Sequence, residues 1–145
     1  MAAVGAIRLA GAPTLVSPSN AGPVVRLVQP AIPQAEKWDP ANRQIHLDRL
    51  VDLSRQNELH PKLVIWPETA FAGSPRRDAA LLDKTVRDAT SKKGTLITGI
   101  PRFGDDQTLL NSAIMLSHEG KIKGIYNKRH LVPFGEYIPL SLIHI

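Results

Sequence analysis

The 145-residue sequence contains no cysteine. This excludes disulfide bonds, thiolate metal sites and a cysteine nucleophile within these residues. The five histidines show no HExxH-like spacing, so a zinc site is not expected. We therefore predict neither a metal ion nor another cofactor for this chain.

Aromatic residues and long apolar runs are also scarce. Aromatics make up 5% of the sequence, and no apolar run approaches the roughly 18 residues that a membrane-spanning helix needs. The basic residues behind the net charge of +5 are scattered and are not interleaved with aromatics that could stack on bases. A nucleic acid partner is therefore not expected. An anionic membrane surface and a plain solvated basic face both stay open.

The first 23 residues differ in composition from the rest of the chain. They are rich in Ala, Gly, Pro and Ser, and their one apolar stretch is interrupted by Arg8. We predict that residues 1–23 are a leader or linker. Residues 24–145 are predicted to be one partial domain.

The apolar runs predict alternating strands and helices. Residues 24–28 and 63–66 have the composition of buried strands, each halted by a proline. Asp39 before Pro40 is a good helix start, and Ser74 with Pro75 is expected to open a second helix. Residues 96–100 predict a third strand, and residues 109–116 with 122–126 predict a hairpin. This order indicates an α/β layered domain with a mixed sheet.

Glu68 is the most informative position. It follows an apolar strand in the run Trp66, Pro67, Glu68, and side chains at the carboxyl ends of strands in α/β sheets point into ligand-binding crevices. Desolvation by Trp66 would suit a general base. A helix-capping or loop glutamate remains the plain alternative.

A second cluster covers residues 126–137 and mixes cationic, polar and apolar side chains at a strand end. Lys128 could hold its ammonium against a developing oxyanion. A surface lysine that snorkels over the sheet would have the same spacing. Glu136 could pair with Lys128 or shape a pocket, although exposed acid and base pairs are common.

Five segments in order resemble the apolipoprotein N-acyltransferases, a branch of the nitrilase superfamily. The likeness covers roughly residues 24–140, and its most specific part is the block 127–139, since the Pro-Glu and Lys signals belong to the whole superfamily. The resembling segments are Val25 to Pro30, Ile32 to Trp38, Trp66 to Glu68, Thr98 to Ile100 and Tyr126 to Pro139.

The resemblance implies a nitrilase-like α-β-β-α sandwich with a Glu, Lys and Cys triad. Glu68 resembles the general base, and Lys128 resembles the lysine that stabilises the tetrahedral intermediate. Glu136 matches a second glutamate beside the triad. Trp38 lies where the family has a tryptophan near the acyl-chain path, although a plain packing aromatic is an equal alternative.

The resemblance also implies a reaction and a location. A thiolate takes an acyl chain from a phospholipid, and the thioester is attacked by the N-terminal amine of a diacylglyceryl-cysteine apolipoprotein. The family acts at the bacterial inner membrane, with this domain on the periplasmic side. No transmembrane segment is expected in the present chain.

The chain departs from the family pattern in lacking the cysteine, which the family carries well after the lysine. The final residues 141–145 also fit the family poorly. We interpret the chain as an N-terminal piece of the catalytic domain, an incomplete sandwich from a truncation or a broken reading frame. Two alternatives stay open: a carbon–nitrogen hydrolase such as an amidase or nitrilase, and a noncatalytic fragment that binds lipid or another subunit.

The missing thiol predicts that the 145-residue chain is inactive by itself. Incubation of the purified chain with phospholipid and a diacylglyceryl peptide should give no triacylated peptide by mass spectrometry, because no side chain here can form the thioester. Turnover by the purified chain would contradict this prediction.

Overall fold

The computed structural model describes residues 22–33, 35–57, 60–105 and 108–130. Within these residues, five strands form one mixed sheet. A short 3-10 helix at Pro40–Asn42 leads into the first of two α-helices. The elements are β1 Val25–Leu27, α1 Arg43–Arg55, β2 Leu63–Ile65, α2 Ala79–Ala89, β3 Thr95–Phe103, β4 Leu109–Ser117 and β5 Ile122–Asn127.

The strands lie in the sheet in chain order, from β1 at one edge to β5 at the other. β1, β2 and β3 are mutually parallel, with α1 and α2 in the two crossover connections, and β3, β4 and β5 are antiparallel. The carboxyl ends of β2 and β3 therefore lie on the same side of the sheet as the start of β4 and the end of β5. We call this row of strand ends the carboxyl edge of the sheet, and it carries the candidate site.

One face of the sheet packs against the helices. Alternation along the strands places Val64, Leu96 and Leu116 on this face, in register with one another, and all three are fully buried. The helices contribute Leu50 and Val86 to the same core cluster. This spacing follows the period of two along strands and of 3.6 along helices.

The opposite face of the sheet is apolar and uncovered by any part of the chain that the structure describes. The strand register places Leu27, Ile65, Ile97 and Met115 on this face. Leu27 is 76% exposed and Tyr126, farther along the face on β5, is 59% exposed. Within the described ranges, no layer of the kind that buries the other face covers this one.

Several predicted elements are confirmed and two are corrected. The α/β layered class, the helix after Asp39 and the hairpin of β4 and β5 are observed. The expectation that the first strand is buried is wrong, because β1 lies at the sheet edge with Val25 and Leu27 exposed. The second helix begins at Ala79 and not at Ser74, since residues 75–78 form a turn.

Some predictions concern residues outside the described ranges. The leader predicted at 1–23 falls almost entirely there, and the division at residue 24 stays a prediction. Among the residues that the structure describes, no helix is long and apolar enough to cross a membrane.

The uncovered face predicts that the 145-residue chain self-associates. Leu27→Lys and Met115→Lys should each weaken association about tenfold, since burying one such side chain contributes roughly 1.5–3 kcal/mol. Ile45→Lys is the matched control, because Ile45 is 64% exposed on α1, away from the sheet. Sedimentation velocity measures the association, and a monomeric wild-type chain that unfolds cooperatively would refute the prediction.

Candidate active site

The segment after β2 is held firmly onto β3. Trp66 donates its main-chain N–H to Ile97 O at 2.9 Å, and Gly99 donates to Pro67 O at 3.2 Å. The Trp66 side chain is buried, and its indole Nε1 donates to Ser54 Oγ at 2.8 Å. These bonds fix the backbone that leads into Glu68, which emerges at the carboxyl edge of the sheet.

Gly99 allows the backbone at Glu68 to lie directly against β3. A Cβ on Gly99 would lie 2.3 Å from Thr69 N and 2.6 Å from Glu68 Cα, far inside van der Waals contact. Thr69 has a φ of 52°, a left-handed conformation that is costly for a β-branched residue. The tight turn at Glu68 and Thr69 therefore depends on a glycine in the neighbouring strand.

Lys128 reaches Glu68 from the end of the hairpin. Its main-chain N–H donates to Asn111 O at 2.8 Å, which extends the β4 and β5 pairing by one residue. Its Nζ lies 3.2 Å from Glu68 Oε1, although the two residues are 60 positions apart in sequence. The structure thus brings together the two residues for which the sequence predicts the central roles.

The Glu68 carboxylate is open to solvent, which corrects one expectation. Its side chain is 59% exposed and that of Lys128 is 30% exposed. Trp66 does not desolvate Glu68, because the indole turns into the core while the carboxylate turns out of it. An exposed ion pair contributes about 0–1 kcal/mol to the free energy of unfolding, so this contact adds little to the stability of the fold.

Lys37 provides a further contact to the same turn. Its Nζ donates to the main-chain O of Glu68 at 2.9 Å. Trp38 follows in the same turn and is 56% exposed, and it is not among the residues that line the two cavities beside Glu68. The structure therefore ties the Lys37 segment to the site, while the role of Trp38 near an acyl chain stays a prediction.

Asn111 is a site residue that the sequence interpretation missed. Its side-chain Nδ2 donates a hydrogen bond to Glu68 Oε1, the oxygen that Lys128 also contacts. The sequence feature that could have identified it is a polar asparagine between Leu110 and Ser112 in a predicted strand. Glu136, the other predicted site residue, lies outside the described residues, so its place beside the triad stays a prediction.

Two cavities flank Glu68. One of about 150 Å³ lies towards the helices and is lined by Lys37, Arg43 and His46 among others. The other, of about 250 Å³, opens on the uncovered sheet face, and Ile97 and Tyr126 contribute to its wall. Glu68 is thus the shared wall of two cavities, of which the first also contains the cationic side chains of Lys37 and Arg43.

The loop that follows Glu68 is attached to α1 by a charged clamp. Arg43 Nη2 lies 3.0 Å from Asp78 Oδ2, and the guanidinium lies 5.4 Å from the centre of the buried Phe71 ring. The hydrogen bond from Arg43, followed by one from the Ser74 N–H, lowers the pKa of Asp78. The clamp keeps this loop against α1.

No group of three metal-ligating His, Cys, Asp or Glu side chains occurs within the described ranges. The chemistry that this arrangement supports is proton transfer by a carboxylate with a cation fixed beside it.

Comparison with known proteins identifies the family. The sequence model of the carbon–nitrogen hydrolase family matches residues 24–144 of this chain. The chain belongs to the carbon–nitrogen hydrolase family. The predicted nitrilase-like α/β class is thereby confirmed, and the mixed five-stranded sheet with its two helices agrees with it.

Curated members of similar sequence are named apolipoprotein N-acyltransferase. The one from Brucella suis biovar 1 is 36% identical over 94% of this chain, and the one from Rhizobium rhizogenes is 38% identical over 86%. The resemblance found in the sequence is therefore confirmed. The chain spans only 27% and 25% of these two relatives, about a quarter of their length.

Two solved structures illustrate the shared fold. A carbon–nitrogen hydrolase from Helicobacter pylori G27 superposes with a TM-score of 0.56 at 18% identity, covering 78% of this chain and 41% of that one. An N-terminal amidase gives a TM-score of 0.53 at 20% identity, covering 74% and 28%. At such identities the likeness speaks for the fold alone.

The close approach at Gly99 predicts that Gly99→Ala disrupts the site. The new methyl group would overlap backbone atoms of the Glu68 turn, so we expect a loss of roughly 1–3 kcal/mol in the free energy of unfolding. Gly124→Ala is the matched control, since its Cβ would meet only Met115 Cβ, at 4.0 Å. Urea unfolding of both variants measures the difference, and equal midpoints would show that the Glu68 turn does not depend on Gly99.

Proposed function

We propose that the protein to which this chain belongs is an apolipoprotein N-acyltransferase. It moves a fatty acyl chain from a phospholipid to the N-terminal amine of a diacylglyceryl-cysteine apolipoprotein, through a thioester on a cysteine outside these 145 residues. The names of the similar curated proteins support this assignment. The observation that carries it is the contact of Glu68 Oε1 with Lys128 Nζ at the edge of the sheet.

Glu68 is proposed as the general base of both half-reactions. In the first, its carboxylate removes the thiol proton, the thiolate attacks the ester carbonyl of the phospholipid, and the proton passes to the departing alkoxide of the lysophospholipid. In the second, the carboxylate accepts a proton from the attacking amine while the thiolate leaves. Such a double role needs a carboxylate fixed at the site but open to the substrate.

Lys128 is proposed to stabilise the negative charge of each tetrahedral intermediate. Its side chain is 30% exposed, its main chain is bonded to β4 and its ammonium contacts Glu68, so the positive charge lies at the site before the substrate binds. A preorganised charge lowers the barrier because it needs no reorientation during the reaction. Contact with Glu68 also keeps the ammonium near the reacting carbonyl.

The remaining assignments follow from the resemblance. We propose Glu136 as a supporting glutamate beside the triad and Trp38 as a residue near the acyl chain. The partners would be the phospholipid donor, the apolipoprotein acceptor and a membrane. The location would be the bacterial inner membrane, with this domain on the periplasmic side. Trp38 is exposed and follows Lys37, which holds the Glu68 turn, and this is consistent with a place for Trp38 near the acyl chain.

A carbon–nitrogen hydrolase such as an amidase would use the same Glu and Lys pair with water as the acceptor. The names of the similar sequences favour the acyltransferase, and the two differ in the fate of the thioester. A noncatalytic lipid-binding or subunit-binding fragment is the third candidate, and it predicts that the wild-type protein forms neither thioester nor product.

The test uses the complete reading frame that contains this chain and supplies a cysteine. Glu68→Gln should lower the rate of thioester formation about 10²- to 10⁴-fold, because the base is lost, and Lys128→Met should lower it by a similar factor. Mass spectrometry follows the acyl-enzyme and the triacylated peptide formed from a synthetic diacylglyceryl peptide.

Lys84→Met and Asp88→Asn are the matched controls, since they break an exposed lysine–carboxylate pair of 2.7 Å on α2. Both controls should retain wild-type rates. Free fatty acid with no peptide product would assign the protein to the hydrolases. Unchanged rates in the Glu68 and Lys128 variants would reject catalysis by this pair.

A further inference from the structure

Asn111 contacts both members of the Glu68 and Lys128 pair, through different groups. Its side-chain Nδ2 donates to Glu68 Oε1, and its main-chain O accepts the N–H of Lys128 at 2.8 Å. One residue on β4 thereby connects the turn after β2 with the end of β5. These two segments are far apart in sequence.

We propose that Asn111 is a positioning residue that holds the Glu68 carboxylate in one orientation relative to Lys128. The geometric part of this proposal concerns the chain itself. Its catalytic consequence rests on the function proposed above.

The location of Asn111 in the sheet suits this role. It pairs with Pro101 on β3, two residues beyond the Gly99 position on which the Glu68 turn rests. Strand alternation puts Asn111 on the same face of the sheet as Ala113 and Met115, the face towards which Glu68 and Lys128 converge. Its neighbour Ser112 is on the other face, where its hydroxyl donates to Asn127 at 2.9 Å.

The two donors also distinguish the carboxylate oxygens. Nδ2 of Asn111 and Nζ of Lys128 both contact Oε1, and no hydrogen bond within the described residues reaches Oε2. The terminal torsion of a glutamate is soft, so a carboxylate held only by a flexible lysine would rotate. An asparagine side chain on a strand is shorter and stiffer, so it holds Oε1 in place. Oε2 is then the oxygen that exchanges the proton.

Stabilisation of the fold does not explain this bond. A net contribution of about 0.5–1.5 kcal/mol is usual for one hydrogen bond, and less is expected where the acceptor side chain is largely exposed. Glu68 belongs to that class, with its side chain 59% exposed. A merely structural Asn111 would therefore affect the melting temperature slightly and the proton transfer not at all.

The geometric part can be tested by NMR on the 145-residue chain without any assay of activity. Glu68→Gln should shift the side-chain amide resonances of Asn111, because a carboxylate acceptor is replaced by a weaker neutral one. The amide of Gln44 is the internal control, since it donates to Asp48 at 2.8 Å on α1. Asp48→Asn should move the Gln44 resonances and leave those of Asn111 in place. Asn111 resonances that do not respond to Glu68→Gln would overturn the proposal.

The catalytic part is tested in the complete reading frame. Asn111→Leu removes the donor at similar volume and should slow thioester formation roughly 10- to 100-fold, with the KM for phospholipid unchanged, since a misplaced reacting group costs rate. Asn111→Gln keeps a donor on a longer stem and should recover part of that loss. Gln44→Leu, which removes an unrelated amide-to-carboxylate bond, should match the wild type.

The outcomes separate this proposal from the proposed function. A wild-type protein that forms no thioester rejects the function, while the NMR result still decides the geometric part. A wild-type protein that forms thioester at a rate unaffected by Asn111→Leu overturns the positioning role. An equal loss for Asn111→Leu and Asn111→Gln with a raised KM also overturns it, because that pattern indicates damage to the substrate site.

Discussion

The structure of the site depends on the close contact between the turn after β2 and the middle of β3. Gly99 lies where any side chain would collide with the backbone of Glu68 and Thr69. Main-chain bonds from Trp66 and Gly99 hold this approach in place. Because the Glu68 backbone cannot move away from β3, its carboxylate projects over the neighbouring strands, where β4 and β5 can reach it.

The order of the strands accounts for the rest of the site. Antiparallel pairing of β3, β4 and β5 returns the chain to the same edge, so that the start of β4 and the end of β5 lie next to the carboxyl end of β2. Asn111 and Lys128 arrive there from opposite directions. The contact of Lys128 with Glu68 is therefore a consequence of sheet topology, and little of it is attributable to the strength of an exposed ion pair.

The two faces of the sheet differ in a way that bears on the family. Helices cover one face, and the other presents Leu27, Met115 and Tyr126 to solvent. An α-β-β-α sandwich stacks two sheets face to face, so an apolar face of this kind is expected of one α-β half of it. The chain spans about a quarter of the length of its curated relatives, which agrees with one such half among the described residues.

The amino-acid sequence by itself determined the α/β class, the hairpin, the family and the candidacy of Glu68 and Lys128, because apolar periodicity and short motifs are local signals. It failed where neighbours in space decide the outcome. β1 has the composition of a buried strand but lies exposed at an edge, and Trp66 turns away from the carboxylate that it was expected to desolvate. Only the tertiary structure showed that Asn111 joins Glu68 and Lys128, since the turn after β2 meets the distant β4 and β5 hairpin there.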